Sequence, residues 1–299
     1  MNTPVVLILY KRIDAIVQHM EILRQVQPEK LYLVGDAAKT GDAETAKLVQ
    51  QVREKAQNVT WPCQVTTIFA EENMGCDRRI ISGLDEVFQQ VEAAIILEDD
   101  CIPDVTFFRY CDEMLATYRD NPDVFYVSGN HLCPWQQETS SYIFSRRGDT
   151  WGWATWANRW QLMSSDFASE WASIKTQKLL QKQMGTSAGD AYIRELEHYK
   201  NQSIIPWDYQ WHARCLAYGK KVIVPGVNLV SNIGFDTAAT HTAEAPGGVS
   251  MERYAMQFPM IPPATEEVNY KYDKARQREI FQVSLWTRIK RRIQRIGKI

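Results

Sequence analysis

The sequence predicts an α/β protein: a mainly parallel, twisted sheet flanked by helices. Continuous apolar runs alternate with helix-period segments through the first 130 residues. Strands that are apolar on both faces belong to sheets covered on both sides, as in chains built from strand–helix–strand crossovers. Polar and charged residues cluster just beyond those runs, where such sheets bind their ligands.

The first run, PVVLILY at 4–10, is followed by a helical pattern over 13–26. A short strand at 31–34 precedes a helix at 45–55, and a third strand at 65–69 precedes a helix at 79–90. The run AAIIL at 93–97 is the fourth strand, followed by a helix at 107–118 and a fifth strand at 124–128. From about residue 130 the pattern changes. Residues 133–160 are rich in aromatics, including Trp135, Trp151, Trp153, Trp156 and Trp160. Helical stretches are expected at 168–184, 188–200 and 207–218, with one more strand at 221–224. The Gly/Pro/Thr-rich stretch 226–266 is expected to be mostly loop, a candidate lid.

Composition removes several classes. With 299 residues, 45% hydrophobic and 23% charged, the chain is neither disordered nor a small disulfide scaffold. No apolar run approaches the roughly 20 residues that span a bilayer, and the N-terminus lacks the basic region of a signal peptide. Six cysteines show no CxxC or zinc spacing, as expected of thiols in a reducing compartment, so a cytoplasmic body is expected. The net charge of −2 hides an asymmetry, because 286–299 holds six Lys/Arg and no acid. On a helical wheel Leu285, Trp286, Ile289, Ile293 and Ile296 gather opposite Arg288, Lys290, Arg291, Arg292, Arg295 and Lys298. Such a helix suits an anionic membrane surface, placing the protein peripherally at the inner face of the cell membrane. It equally suits docking on its own domain or on a second copy. No nucleic-acid readout motif accompanies it.

Glu98, Asp99 and Asp100 follow the fourth apolar run directly. Three adjacent carboxylates repel unless a cation sits among them, and hard oxygen ligands suit Mn²⁺ or Mg²⁺ completed by substrate phosphates. A solvated acidic turn is the plainer reading, although Asp104 already stands where a helix cap is wanted. Gly75, with Arg78 and Arg79 after it, joins the third strand to a helix whose N-terminus favours phosphate; the arginines could instead pair with carboxylates. Asp208 is either a helix cap or a general base among aromatics. Trp151, Gly152 and Trp153 are either core or a surface that stacks on sugars. His241 is a possible metal or phosphate ligand. There is no GxGxxG after the first strand, no P-loop and no nucleophile elbow.

Taken in order, these pieces resemble GT-A fold glycosyltransferases, in particular the inverting N-acetylglucosaminyltransferase I type and its bacterial relatives. The matching segments are Tyr10-Lys11-Arg12, Val34-Gly35-Asp36, Asn73-Met74-Gly75-Cys76, Ile96-Leu97-Glu98-Asp99-Asp100, Trp151-Gly152-Trp153-Ala154-Thr155-Trp156 and Trp207-Asp208. Asn232-Ile233-Gly234-Phe235 and Ala239-Thr240-His241-Thr242 resemble a late block of the bacterial members. The resemblance implies a GT-A domain over 1–275, with a nucleotide-sugar half at 1–130 and an acceptor half at 131–275, then the basic helix at 276–299. It implies Asp100 as direct Mn²⁺ ligand, Glu98 and Asp99 on the donor's ribose and sugar, and Tyr10, Arg12 and Asp36 at the base. Asp208 would deprotonate the acceptor hydroxyl. The expected donor is a nucleotide sugar, UDP-N-acetylglucosamine first, and the expected acceptor a glycan or lipid-linked sugar of surface polysaccharide biosynthesis. A catalytically degenerate domain serving as a sugar-binding scaffold is the alternative.

Overall fold

All five residues of β1 (Val5–Leu9) are buried, because the strand lies inside the sheet with helices on both faces. The computed structural model describes residues 1–133, 139–164, 166–201, 205–234 and 252–276, the side chains of 164, 200 and 201 excepted. β1 pairs in parallel with β2 (Lys30–Gly35) on one side and β4 (Ala93–Glu98) on the other, and β3 (Gln64–Phe69) extends the sheet beyond β2. Past β4 the direction changes. β8 (Trp153–Trp156) lies antiparallel between β4 and β6 (Val124–Ser128). β9 (Lys221–Pro225) then runs parallel to β6, and β7 (Tyr142–Ser145) closes the edge antiparallel to β9. The order is β3-β2-β1-β4-β8-β6-β9-β7, with all but β7 and β8 running one way. The mainly parallel α/β class expected from the sequence is therefore the one observed.

Helices α1 (Ile13–Val26), α2 (Ala43–Gln57), α3 (Cys76–Phe88) and α4 (Thr106–Thr117) follow β1 to β4, with the short β5 (Cys101–Pro103) ahead of α4. Alternation along β1 feeds two cores, as the period of a strand requires. Val5, Leu7 and Leu9 share a cluster with Ile16 of α1 and Phe107 of α4. Val6 and Ile8 share another with Leu84 of α3 and with Trp211 of α9 (Trp207–Ala217). Between β8 and α9 lie the short α5 (Ala157–Trp160), then α6 (Phe167–Thr176), α7 (Leu179–Met184) and α8 (Thr186–Asn201). These helices build a third cluster around Trp171, Leu180 and Leu196, roofed by Leu216 of α9.

Two features differ from expectation. The stretch 168–184 is not one helix; Lys178 takes a left-handed conformation at φ 54° and starts α7 in a new direction, which seats Leu180 in the third core. Within 226–266 a strand, β10 (Val230–Asn232), forms a two-stranded antiparallel ribbon with β5. The rest of the candidate lid from 235 to 251 lies outside the described residues, as do His241 and the basic segment 286–299.

Trp211 is wholly buried, and its ring stacks on Phe125 with centroids 4.1 Å apart. Replacing it by alanine should lower stability by about 3–5 kcal/mol in denaturant titration. A loss below about 1 kcal/mol would contradict this account of the core.

Candidate active site

β4 delivers the acidic turn to the carboxyl edge of the sheet, where Glu98 is in register with Ile8 of β1. The Tyr10 N–H donates to Asp99 Oδ2 at 3.2 Å, tying the turn to the end of β1. The ribbon holds the other side: the Ile233 N–H donates to the Asp100 carbonyl at 2.9 Å, and the Cys101 thiol donates to Asp100 Oδ1 at 3.2 Å. Gly234 lies against this carboxylate so closely that a Cβ there would meet Asp100 Oδ2 at 2.2 Å. Only a glycine leaves that oxygen its space.

All three acids are half-buried. Burial first, then the charges of Asp100, Asp208, Asp99 and Asp77, hold the Glu98 carboxyl well above its ordinary range. Burial and Asp100 push Asp99 up to about 7, against the opposing pull of Arg12, the Tyr10 N–H and Lys11. His19 of α1 sits beneath the turn at 1% exposure, beside the backbone of Glu98 and Asp99 but without a well-formed hydrogen bond to either. Burial lowers its pKa to about 4, so it is a neutral support.

Asp208, in the first turn of α9, lies close enough to the acidic turn for its charge to raise Glu98. A capping role is the simplest reading of an aspartate there, but the first N–H of that helix, on Trp207, donates instead to Asp77 Oδ1 of α3 at 2.7 Å. Burial raises Asp208 to about 6, with Asp77 and Asp149 adding to the rise and backbone N–H groups opposing it. Burial is the first cause at both Glu98 and Asp208, and the Asp208 charge adds to the rise at Glu98.

The remaining candidates divide. Tyr10 and Arg12 flank the acidic turn, half-buried. The Asp36 carboxylate is engaged by four donors: the N–H groups of Ala37, Met74 and Gly75 at 2.9 Å and the Asn73 amide at 3.1 Å. It therefore shapes the 73–75 turn. Gly75 completes that turn at φ 80°, a conformation suited to glycine. Arg78 is exposed at the start of α3, whereas Arg79 is buried near Asp36 and points its Nη1 at the Met74 sulfur. Trp151 is half-buried at the rim. Trp153 is core, stacked on Trp207 at 5.6 Å, and Gly152 carries the carbonyl that accepts the Gly129 N–H.

Sequence reasoning missed His19, Asp77, Asp149 and His212. Only His212 had a local signal, four residues after Asp208 and so on the same helical face. Among the described residues no three His, Cys, Asp or Glu side chains converge as a ready-made metal site, and no helix is long and apolar enough to cross a membrane. A cavity of about 590 Å³ lies at the α2 and β3 edge, lined by Lys39, Arg53 and Phe69 among others, and does not include the acidic turn.

The chain matches no protein-family model and no curated protein sequence. Solved structures give distant likenesses. Residues 1–349 of S. aureus TarS align over 77% of this chain and 59% of that one, at 12% identity and a TM-score of 0.39. The mannosyltransferase PcManGT from Pyrobaculum calidifontis, in complex with GDP-Man and Mn²⁺, aligns over 76% and 57%, at 12% identity and 0.36. An apo UDP-glucose pyrophosphorylase aligns over 75% and 90%, at 8% identity and 0.37. The chain spans less than two thirds of the length of the first two. Similarity this distant assigns no chemistry to the chain.

The crowded acids have a thermodynamic signature. Asp99 and Asp208 hold protons more tightly folded than unfolded, so each contributes stability at low pH that is lost as pH rises toward 7. The buried neutral His19 and His212 act in the opposite sense, so the contribution of Asp208 is read as a difference. The thermal midpoint of metal-free Asp208→Asn, measured relative to wild type, should rise between pH 5 and 7.5. A difference that stays constant or falls over that range would contradict the assignment.

Proposed function

We propose that the chain is an inverting, metal-dependent glycosyltransferase of the GT-A type. It would move a sugar from a nucleotide-diphosphate donor, UDP-N-acetylglucosamine first, to a hydroxyl of a glycan or lipid-linked acceptor. One observation carries this reading: Asp208 at the start of α9 stands close enough to the Glu98-Asp99-Asp100 turn at the end of β4 to help raise the buried Glu98 carboxyl.

The chain's own groups have distinct tasks. Tyr10 and Arg12 line the nucleoside side, and Asp36 holds the 73–75 turn that presents the α3 N-terminus and Arg78 to the diphosphate. Glu98 and Asp99 hydrogen-bond the donor's ribose and sugar. Asp208 takes the proton of the attacking hydroxyl; with a pKa of about 6 it is a stronger base than an ordinary carboxylate yet still ionised at neutral pH. A single displacement assisted by one base inverts the anomeric centre.

The residues also fit a divalent cation. Asp100 keeps one oxygen free of side-chain substituents because position 234 is a glycine, and acids that destabilise one another are relieved by positive charge. Mn²⁺ or Mg²⁺ typically uses one or two carboxylates and takes its other ligands from phosphates and water, so three converging side chains are not required. Bound at Asp100, the cation would neutralise charge on the departing diphosphate. His241 is a further proposed ligand. The basic segment 286–299 is proposed to rest on an anionic membrane surface.

Release of nucleoside diphosphate from a panel of nucleotide sugars, with Mn²⁺ and with EDTA, tests the reading. Activity on one donor should vanish with EDTA and with Asp100→Ala. Asp208→Asn should lower kcat about 10²–10⁴-fold, and the wild-type rate should rise with pH through about 6 as Asp208 ionises. Turnover that survives EDTA, or full activity of Asp208→Asn, would reject the mechanism. Deleting 286–299 should abolish sedimentation with anionic vesicles; unchanged sedimentation would remove the membrane assignment.

A further inference from the structure

Beyond Asp208 the cleft wall carries charged groups that the donor chemistry does not use. α9 presents Asp208 and His212 one turn apart. The His212 ring lies over Tyr126 with centroids 6.1 Å apart, and its buried Nε2 has no hydrogen-bond partner among the described residues. Opposite runs the loop 145–149, which follows β7. It is clamped from both ends. Asp273 accepts from the Ser145 hydroxyl at 2.5 Å and from the Arg146 N–H at 3.2 Å. Arg276 donates to both oxygens of Asp149, at 2.8 and 3.0 Å, while the Tyr126 hydroxyl donates to the Gly148 carbonyl at 2.8 Å.

Within this clamp one guanidinium has no direct ion-pair partner among the described residues, although its charge bears on Asp273. Arg146 gives its guanidinium to the carbonyls of Gly219 and Lys220, and Asp149 is taken by Arg276. Arg147 makes neither an ion pair nor a side-chain hydrogen bond among the described residues; its half-buried guanidinium lies over the Tyr192 ring, 5.4 Å from the centroid. The Tyr192 phenol is buried and feels both Arg147 and Asp208, so the cation and the carboxylate flank one ring. His212 is held neutral, chiefly by burial, with a pKa of about 4. A guanidinium backed by an aromatic face, on a backbone fixed at both ends, is preorganised for a planar or tetrahedral oxyanion. The carboxylate two residues away, Asp149, is committed to Arg276.

We propose that Arg147, with His212 beside it, forms an acceptor-side subsite for an anionic oxyacid group, a phosphate or a carboxylate, carried on the acceptor near the hydroxyl that Asp208 deprotonates. The placement relative to the reacting hydroxyl rests on the reading of Asp208 as base. The anion site itself does not. The acceptor class it selects is a sugar phosphate, a phosphate-linked polymer or lipid, or a uronic acid, rather than a neutral sugar.

The test is calorimetric titration of the full chain with inorganic phosphate, with UDP and Mn²⁺ present at saturating levels to fill the donor site. Wild type is compared with Arg147→Gln, Arg147→Lys and Arg24→Gln, an exposed arginine on α1, each checked for an unchanged thermal midpoint. Phosphate affinity should fall at least tenfold in Arg147→Gln, fall less in Arg147→Lys, and stay unchanged in Arg24→Gln. No phosphate binding to the wild type, wild-type affinity in Arg147→Gln, or an equal loss in Arg24→Gln would overturn the subsite. If UDP and Mn²⁺ do not bind, the donor reading fails, while the Arg147 comparison still judges the anion site. Parallel titrations with glucose, glucose 6-phosphate and glucuronate separate the sources. Tighter binding of either anionic sugar, lost in Arg147→Gln, names the group; glucose binding as tightly as both would also overturn the proposal.

Discussion

Carboxylates gather around the end of β4, where burial and their mutual repulsion raise Glu98 and Asp99. Glu98, Asp99 and Asp100 stand in a row, Asp77 and Asp208 face them from α3 and α9, and Asp149 lies beyond. Burial deepens the conflict, since poor solvation disfavours the charged forms further. The surrounding structure relieves only part of it. Arg12 and Lys11 reach Asp99, and Arg276 neutralises Asp149. Glu98 and Asp208 are left with raised carboxyls, a repulsion that only positive charge placed beside them would relieve. Stability given up at such a place commonly marks a functional site.

The unusual half of the sheet follows from this arrangement. Because β8 runs antiparallel between β4 and β6, its beginning and not its end lies at the ligand edge. That direction brings Gly152 and the loop before it to the cleft rim and sends Trp153 into the core. The β5–β10 ribbon then fixes the backbone of Asp100 from outside the main sheet. Asp77 accepts the first N–H of α9 from α3, while Asp208 takes N–H groups of the same first turn. Asp99, Asp100 and Asp77 each spend one side-chain oxygen on such hydrogen bonds.

Much of the parallel half was legible in the sequence. β1 to β4 and their helices announce themselves through apolar runs and 3.6-residue periodicity, and α1 matches the expected 13–26 throughout. The acidic turn and Asp208 were legible from their places at a strand end and a helix start. Other features were not. β8 reads as an aromatic cluster, because four residues (WATW) carry no usable period. The role of Asp36 was open until the four donors around it were placed, since an acid after a strand serves a turn as readily as a ligand. His19 and Asp77 lie far in sequence from the acidic turn, and Arg147 lies far from the Tyr192 ring it covers. Only tertiary packing brings them together.

The central claim is that Asp100 offers a cation one side-chain ligand and that the donor's diphosphate must supply the rest. Electron paramagnetic resonance of Mn²⁺ titrated into the protein, with and without UDP, tests this most directly. The account predicts weak Mn²⁺ binding alone, binding at least tenfold tighter with UDP, and loss of that coupling in Asp100→Ala. Tight Mn²⁺ binding without nucleotide, or UDP binding indifferent to the metal, would contradict it.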